Sequence, residues 1–198
     1  MCKKLLIASA ILLFSGLAHA DRDSFLLGVG LGLTNSRVLE FSNENGSSDL
    51  SPSGGGNAQI KIGGVINHQH AVYYHLKNSV FSYDDLDSGS EFAAVAGLGG
   101  LGYTYFFSPT IGSPYIETTL GVASFIALER LNANSQDFPL MGGGSGNSFL
   151  IGAGYEFSNF FQAGVTYDTF FNFQGENSEN WDFTYQAITA NFEFKIQL

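Results

Sequence analysis

The chain has 198 residues with 8 basic against 18 acidic side chains, a formal charge of −10, and only 13% of its residues are charged. So few charges argue against intrinsic disorder. The acidic balance and the single cysteine, Cys2, argue against a basic-faced nucleic-acid binder, a disulfide scaffold and a structural zinc site. The length suits one domain.

Residues 1–20 begin with Lys3 and Lys4, continue in an apolar run from Leu5 to Leu17 and exit through Ala18-His19-Ala20. This pattern predicts a secretory signal cleaved after Ala20. The apolar run is shorter than the ~18 residues of a spanning helix. Cys2 precedes it and leaves with it. The remainder, 21–198, has 178 residues, no cysteine and 6 basic against 18 acidic groups, hence a charge of −12.

From Phe25 onward the sequence alternates with a period of two, the signature of strands whose faces meet different surroundings. Phe25, Leu27, Val29, Leu31 and Leu33 oppose Gly28, Gly30 and Gly32. Ala58, Ile60, Ile62 and Ile66 oppose Gln59, Lys61 and Gly63, and Val72, Tyr74, Leu76 and Val80 oppose Tyr73, His75, Lys77 and Ser79. In 92–107 the contrast is blurred by Ala and Gly, although Val95, Leu101, Tyr103, Tyr105 and Phe107 share a parity.

The pattern then returns. Ile116, Thr118, Leu120, Val122 and Ile126 alternate with Tyr115, Glu117, Thr119, Gly121 and Ala123. Phe149, Ile151, Ala153, Tyr155 and Phe157 alternate with Gly152, Gly154 and Glu156. Phe161, Ala163, Val165, Tyr167, Thr169 and Phe171 oppose Gln162, Gly164, Thr166 and Asp168, and Ile188, Ala190, Phe192, Phe194, Ile196 and Leu198 oppose Thr189, Asn191, Glu193, Lys195 and Gln197.

Eight such segments are joined by long polar connections at about 35–56, 82–91, 129–147 and 174–182, and by short ones at 67–70, 108–113 and 158–160. Pro52, Pro109, Pro114 and Pro139 fall in connectors or at a strand's first residue, where a missing N–H is harmless. The glycine runs Gly54–Gly56 and Gly142–Gly144 predict mobile first and third loops. This rhythm predicts an all-β fold: an eight-stranded antiparallel up-and-down transmembrane β-barrel with both termini at the short-turn end.

A soluble lipocalin-like barrel alternates too, with apolar residues inside. Here the polar parity is built from Gly, Thr, Asn, Gln and isolated charges, which suits a narrow lumen better than a water-facing surface. Aromatic residues gather toward the strand ends on the apolar parity. A helical span over 92–107 is short and carries Gly97, Gly99, Gly100 and Gly102, a poor helix composition. Strands in hydrocarbon must close on themselves, because each unpaired backbone group there costs several kcal/mol.

Closure places Lys61, His75, Lys77, Glu117, Glu156, Asp168, Glu193 and Lys195 inside, three lysines against four carboxylates. They are expected to pair as a polar plug; a conducting file, or a proton-sensitive gate through His75, is the alternative.

Several segments carry a family resemblance: Leu101-Gly102-Tyr103-Thr104-Tyr105-Phe106-Phe107, Pro114-Tyr115-Ile116-Glu117 and Gly152-Ala153-Gly154-Tyr155-Glu156-Phe157. With the signal and the eight alternating segments, they make the chain similar to the outer membrane protein beta-barrel domain family. In plan it resembles the transmembrane domain of outer membrane protein A and opacity-type proteins. The resemblance implies residence in the bacterial outer membrane among lipid and lipopolysaccharide. It also implies insertion by the barrel-assembly machinery and an envelope-structural, surface-binding or small-pore role. Chains of this kind usually end in an aromatic residue. Here the terminal strand carries Phe192, Phe194, Ile196 and Leu198 in step, and Phe192 and Phe194 are the aromatic candidates for recognition.

Candidate chemistry is sparse. Gly97-Leu98-Gly99-Gly100-Leu101-Gly102 matches a dinucleotide pattern, but a strand runs on from it where a phosphate-holding helix is required. His68 and His70 form an H-x-H pair without further ligands nearby. Asp84, Asp85, Asp87 and Glu91 do not have the spacing of a calcium-binding helix-loop-helix. His75 and Ser79 resemble the H-x-S-N of outer-membrane lipid A deacylases only loosely: Lys77 stands at the second position after His75, and four strand residues separate the pair by roughly 13 Å. The expectation is a non-enzymatic protein with no cofactor. Acidic loops bearing Glu40, Glu44, Asp49, Asp137, Glu176, Glu179 and Asp182 are its candidate contact surface.

Overall fold

The computed structural model describes residues 25–43, 46–50, 52–84, 91–128, 140–175 and 182–197. The expected signal, Leu198 and most of the acidic loop residues lie outside these ranges. Nine strands form: β1 (Phe25–Asn43), β2 (Gly46–Leu50), β3 (Pro52–Ile66), β4 (His70–Asp84), β5 (Glu91–Phe106), β6 (Pro114–Leu128), β7 (Leu140–Glu156), β8 (Phe161–Gly175) and β9 (Asp182–Gln197). Eight of them, β1 and β3 to β9, pair with their sequence neighbours in antiparallel fashion, and β9 returns to β1 through a ladder from Leu26↔Gln197 to Ser42↔Asp182. The sheet is therefore a closed eight-stranded barrel, and its wall has no open edge to leave backbone groups unpaired.

The short strand β2 lies outside this count. Along Phe25–Asn35 the second edge of β1 carries β3, and beyond that it carries β2, from Leu39↔Leu50 to Asn43↔Gly46. Bulges fall near these loop-ward ends, at Ser36/Val38, Pro52/Gly55 and Ser145/Asn147. Each inserts unpaired backbone that bends its strand.

The wall strands are 15 to 19 residues long, whereas a tilted strand crosses hydrocarbon in ~9–11 residues. Pairing thus outruns the apolar alternation. The connection expected over 35–56 is largely strand, and of the one expected over 129–147 the described part, 140–147, is strand, so the expectation that Gly54–Gly56 and Gly142–Gly144 lie in loops is wrong. Both runs sit in the β3 and β7 ladders. The reason is physical: a strand standing in water needs only its ladder hydrogen bonds and shows no apolar stripe. At Gly55 a Cβ would fall 2.9 Å from the Phe81 backbone, so this glycine permits close strand approach.

The three short connections, at 67–69, 107–113 and 157–160, share an end of the barrel with Phe25 and Gln197. In the first, Asn67 and His68 take left-handed φ values of 51° and 59°, the conformation a tight hairpin demands. Pro114 and Pro52 open β6 and β3.

The two faces of the wall are inverted relative to a soluble protein. Leu33 is 75% exposed and Leu31, Leu101, Leu120 and Val122 are nearly as bare, while Lys61, His75, Lys77, Glu117, Glu156, Asp168, Glu193 and Lys195 are at most 4% exposed. In β5 the even positions Ala94, Ala96, Leu98, Thr104 and Phe106 face inward, and Leu101 and Tyr103 face outward, as does Phe107 just beyond the strand. An apolar belt that encircles the molecule far exceeds the patches a water-soluble monomer exposes. Its aromatic members gather toward the short-turn end, with Tyr105 against Phe107, Tyr155 against Phe157, and Phe161 between Phe192 and Phe194.

Candidate functional site

An eight-stranded barrel has a bore just wide enough for its own side chains, and here it is filled in layers. In the turn-ward half of the bore, Lys61 on β3 reaches Glu117 on β6 at 2.6 Å and Glu193 on β9 at 2.8 Å, so one ammonium bridges two carboxylates across the bore. Tyr73 donates its hydroxyl to Glu117 at 3.2 Å and contacts Thr104 at 2.9 Å. The Lys61 ammonium lies 5.3 Å from the centre of the Tyr73 ring. Gln59 donates to Glu193 at 3.1 Å and turns its carbonyl oxygen to His75 Nε2 at 3.3 Å. A carboxylate only accepts, which fixes the orientation of the Gln59 amide and requires the proton on His75 Nε2. The other ring nitrogen, Nδ1, meets the Thr119 hydroxyl at 2.9 Å.

Two further ion pairs flank this centre. Toward the loops, Lys77 meets Asp168 at 2.5 Å and donates to Thr166 at 3.0 Å, while Asn191 donates to Thr166 at 3.2 Å. Toward the turns, Lys195 pairs with Glu156 and lies over the Phe106 ring. The eight charged or imidazole groups thus form three clusters, with His75 joined to the central one through Gln59. Removing one member would strand a buried charge, at a cost of about 3 to 5 kcal/mol.

Buried apolar clusters fill the bore loop-ward of the charges and among them at the turn-ward end. Loop-ward, Phe81 stacks on Tyr185 at 5.3 Å, Phe170 packs on Tyr185 at 4.9 Å, and Phe125 and Leu150 complete a buried cluster. Turn-ward, Leu26, Val65, Tyr73, Phe106 and Tyr115 form a second one. Reasoning from alternation missed these clusters, along with Gln59, Thr104, Thr119 and Thr166 as partners. A signal was present: Phe81, Phe125 and Phe170 occupy the inward parity of their strands, where a water-filled lumen has no use for phenyl rings.

No protein-family model and no curated protein sequence matches the chain. Among solved structures, Ail, the attachment invasion locus protein of Yersinia pestis, in complex with the heparin analogue sucrose octasulfate, superposes with a TM-score of 0.54 at 8% identity, covering 87% of this chain and 99% of Ail. Neisserial surface protein A superposes with a TM-score of 0.53 at 16% identity, covering 87% of this chain and 97% of that one. The fold is that of the small bacterial outer-membrane barrels. At these identities the likeness carries the fold alone.

Within this barrel the remaining sequence candidates have ordinary places. Gly97, Gly99, Gly100 and Gly102 lie in β5, with no helix beside them. The Tyr73 ring occupies the space beside Gly102, and Gly100 faces Gly121 across the ladder. His70 meets the Tyr103 hydroxyl through Nδ1 at 2.7 Å and packs against Tyr105. Among the described residues no group of three or more His, Cys, Asp or Glu side chains is placed to hold a metal ion. Asp84 and Glu91 are ladder partners at the loop-ward ends of β4 and β5, while Asp85 and Asp87 lie outside the described residues. His75 and Ser79 share the inward face of β4, and both are buried.

On the terminal strand, Phe192, Phe194 and Ile196 pair with Leu31, Val29 and Leu27 of β1. Phe192 and Ile196 are exposed on the outer wall, and Phe194 packs on Phe160 and Phe161.

Proposed function

We propose that this chain is exported by its first 20 residues, is inserted into the outer membrane with β9 as its terminal assembly strand, and works there as a non-enzymatic barrel. Its wall and filled bore form a structural scaffold, and its long loops present the contact surface to lipopolysaccharide or an extracellular partner. The observation that carries this reading is the filled bore: buried ion pairs packed together with two buried clusters that carry aromatic rings. A continuous solute path would have to break both clusters and separate Lys61 from its two carboxylates.

An enzymatic reading has less support. The His75 imidazole lies beside a hydroxyl, Thr119, but both are completely buried, so a lipid substrate outside the wall does not meet them. The end of the chain's fold away from the short turns is acidic: Glu40 and Asp49, expected in a loop, are ladder partners on β1 and β2, and the connecting sequences carry Glu44, Asp85, Asp87, Asp137, Glu176 and Glu179. Such a surface repels polyanions and favours basic partners or divalent cations that bridge it to anionic glycolipid.

Planar-bilayer recording tests the scaffold reading. The purified barrel is expected to give no discrete conductance steps. Reproducible steps that change when Lys61 or Glu117 is neutralised would replace it with a narrow pore for ions or small solutes.

A further inference from the structure

The outer wall is not uniformly convex. A groove of about 690 Å³ crosses it, with Thr118 and Ala153 in its floor and Tyr103, Ile116, Tyr167 and Ile188 among its borders. It exists because small outward side chains stand between large ones in the same cross-strand rows: Ala153 lies between Ile116 and Val165, and Thr118 between Tyr103 and Ile151. The Thr118 hydroxyl donates to the Leu150 carbonyl at 3.0 Å, so the floor satisfies its own polar group and offers only hydrocarbon.

The groove also has a direction. The row that runs from Tyr103 through Thr118 and Tyr167 to Ile188 is stepped by the tilt of the strands. Tyr103 lies three residues from the turn-ward end of β5, whereas Ile188 lies nine residues from the turn-ward end of β9. The groove therefore starts near the short-turn rim and climbs toward mid-wall. At its low end the Tyr103 hydroxyl and His70 are hydrogen-bonded to each other. The connections at that rim, 67–69 and 107–113, contain His68, Ser108, Thr110 and Ser113 and no carboxylate, in contrast to the acidic loops at the far end.

We infer that this groove is a binding site for one acyl chain of a phospholipid from the leaflet at the short-turn end, whose phosphate headgroup is received at His70 and Tyr103. An apolar channel continuous with the lipid-facing belt takes hydrocarbon. Its entrance combines an imidazole and a phenol with two adjoining connections, 67–69 and 107–113, that carry no carboxylate, which suits an anion and disfavours a basic peptide. The inference rests on the membrane reading above.

The test is native mass spectrometry of the full barrel reconstituted in vesicles of phosphatidylethanolamine and phosphatidylglycerol with a minor share of diacylglycerol, then released into detergent. Wild type is expected to retain one phospholipid and not diacylglycerol. Ala153→Phe, which fills the groove, is expected to lose it, with the milder Ala153→Leu as a second variant if the first fails to fold. Leu31→Phe, outside the groove, is expected to retain it. The double variant His70→Ala/Tyr103→Phe is expected to lose the preference for phospholipid over diacylglycerol. Equal retention by wild type and Ala153→Leu, or loss of a dimer instead of a lipid in the groove variants, would overturn the inference. A barrel that needs detergent yet retains no lipid refutes only the groove. One that stays monomeric in plain buffer refutes the membrane reading itself.

Discussion

The two faces of one wall can be compared residue by residue, because neighbours such as Thr119 and Leu120 share a strand and differ only in the side on which they lie. Thr119 is fully buried against His75, and Leu120 is 63% exposed between Leu101 and Phe149 of the neighbouring strands. The outer face tolerates exchange among apolar residues, since hydrocarbon has no fixed geometry to match. The inner face depends on particular partners: Lys61 serves two carboxylates that arrive from strands 56 and 132 residues further along the chain. Composition therefore governs the outside and pairing governs the inside.

Lys61→Met should break that contrast most severely. It leaves Glu117 and Glu193 facing each other without an ammonium, and a loss of about 3 to 5 kcal/mol is expected in denaturant unfolding from liposomes. Leu120→Arg attacks the outer face near mid-wall, where a loss of roughly 2 to 4 kcal/mol follows from placing a guanidinium in hydrocarbon. The same substitution would be nearly silent if that face met water. The smallest expected effect sharpens the comparison: Lys77→Met combined with Asp168→Leu removes a whole pair and should cost less than ~1 kcal/mol net, whereas Lys77→Met alone should be strongly destabilising. A double variant as damaged as the single would mean that the pair itself stabilises the barrel.

The outward stripes were legible because a period of two needs no knowledge of the partner strand. Even the Gly-rich segment from Glu91 to Phe106 keeps Leu101 and Tyr103 on one side. The side of the wall on which Lys61, Glu117 and Lys195 lie follows from parity in the same way. Which carboxylate each lysine meets does not, because that depends on strand tilt and on register between distant segments. The ends of β3 and β7 escaped for a different reason. Gly54–Gly56 and Gly142–Gly144 read as loop by composition, yet a paired strand above the apolar band needs nothing from its side chains. The inner aromatic layers escaped because Phe81, Phe125 and Phe170 are apolar residues on a parity otherwise read as polar.

The most direct test of the account is where Leu120 and Thr119 meet solvent. Residues 21–198 contain no cysteine, so Leu120→Cys and Thr119→Cys can each be labelled or challenged singly in the reconstituted barrel. The account predicts that a fluorophore on Leu120→Cys is quenched by phospholipid with brominated acyl chains and that the thiol resists a membrane-impermeant maleimide. Thr119→Cys should escape both reagents. Rapid maleimide reaction at Leu120→Cys without lipid quenching would contradict the hydrocarbon-facing wall on which the whole reading depends.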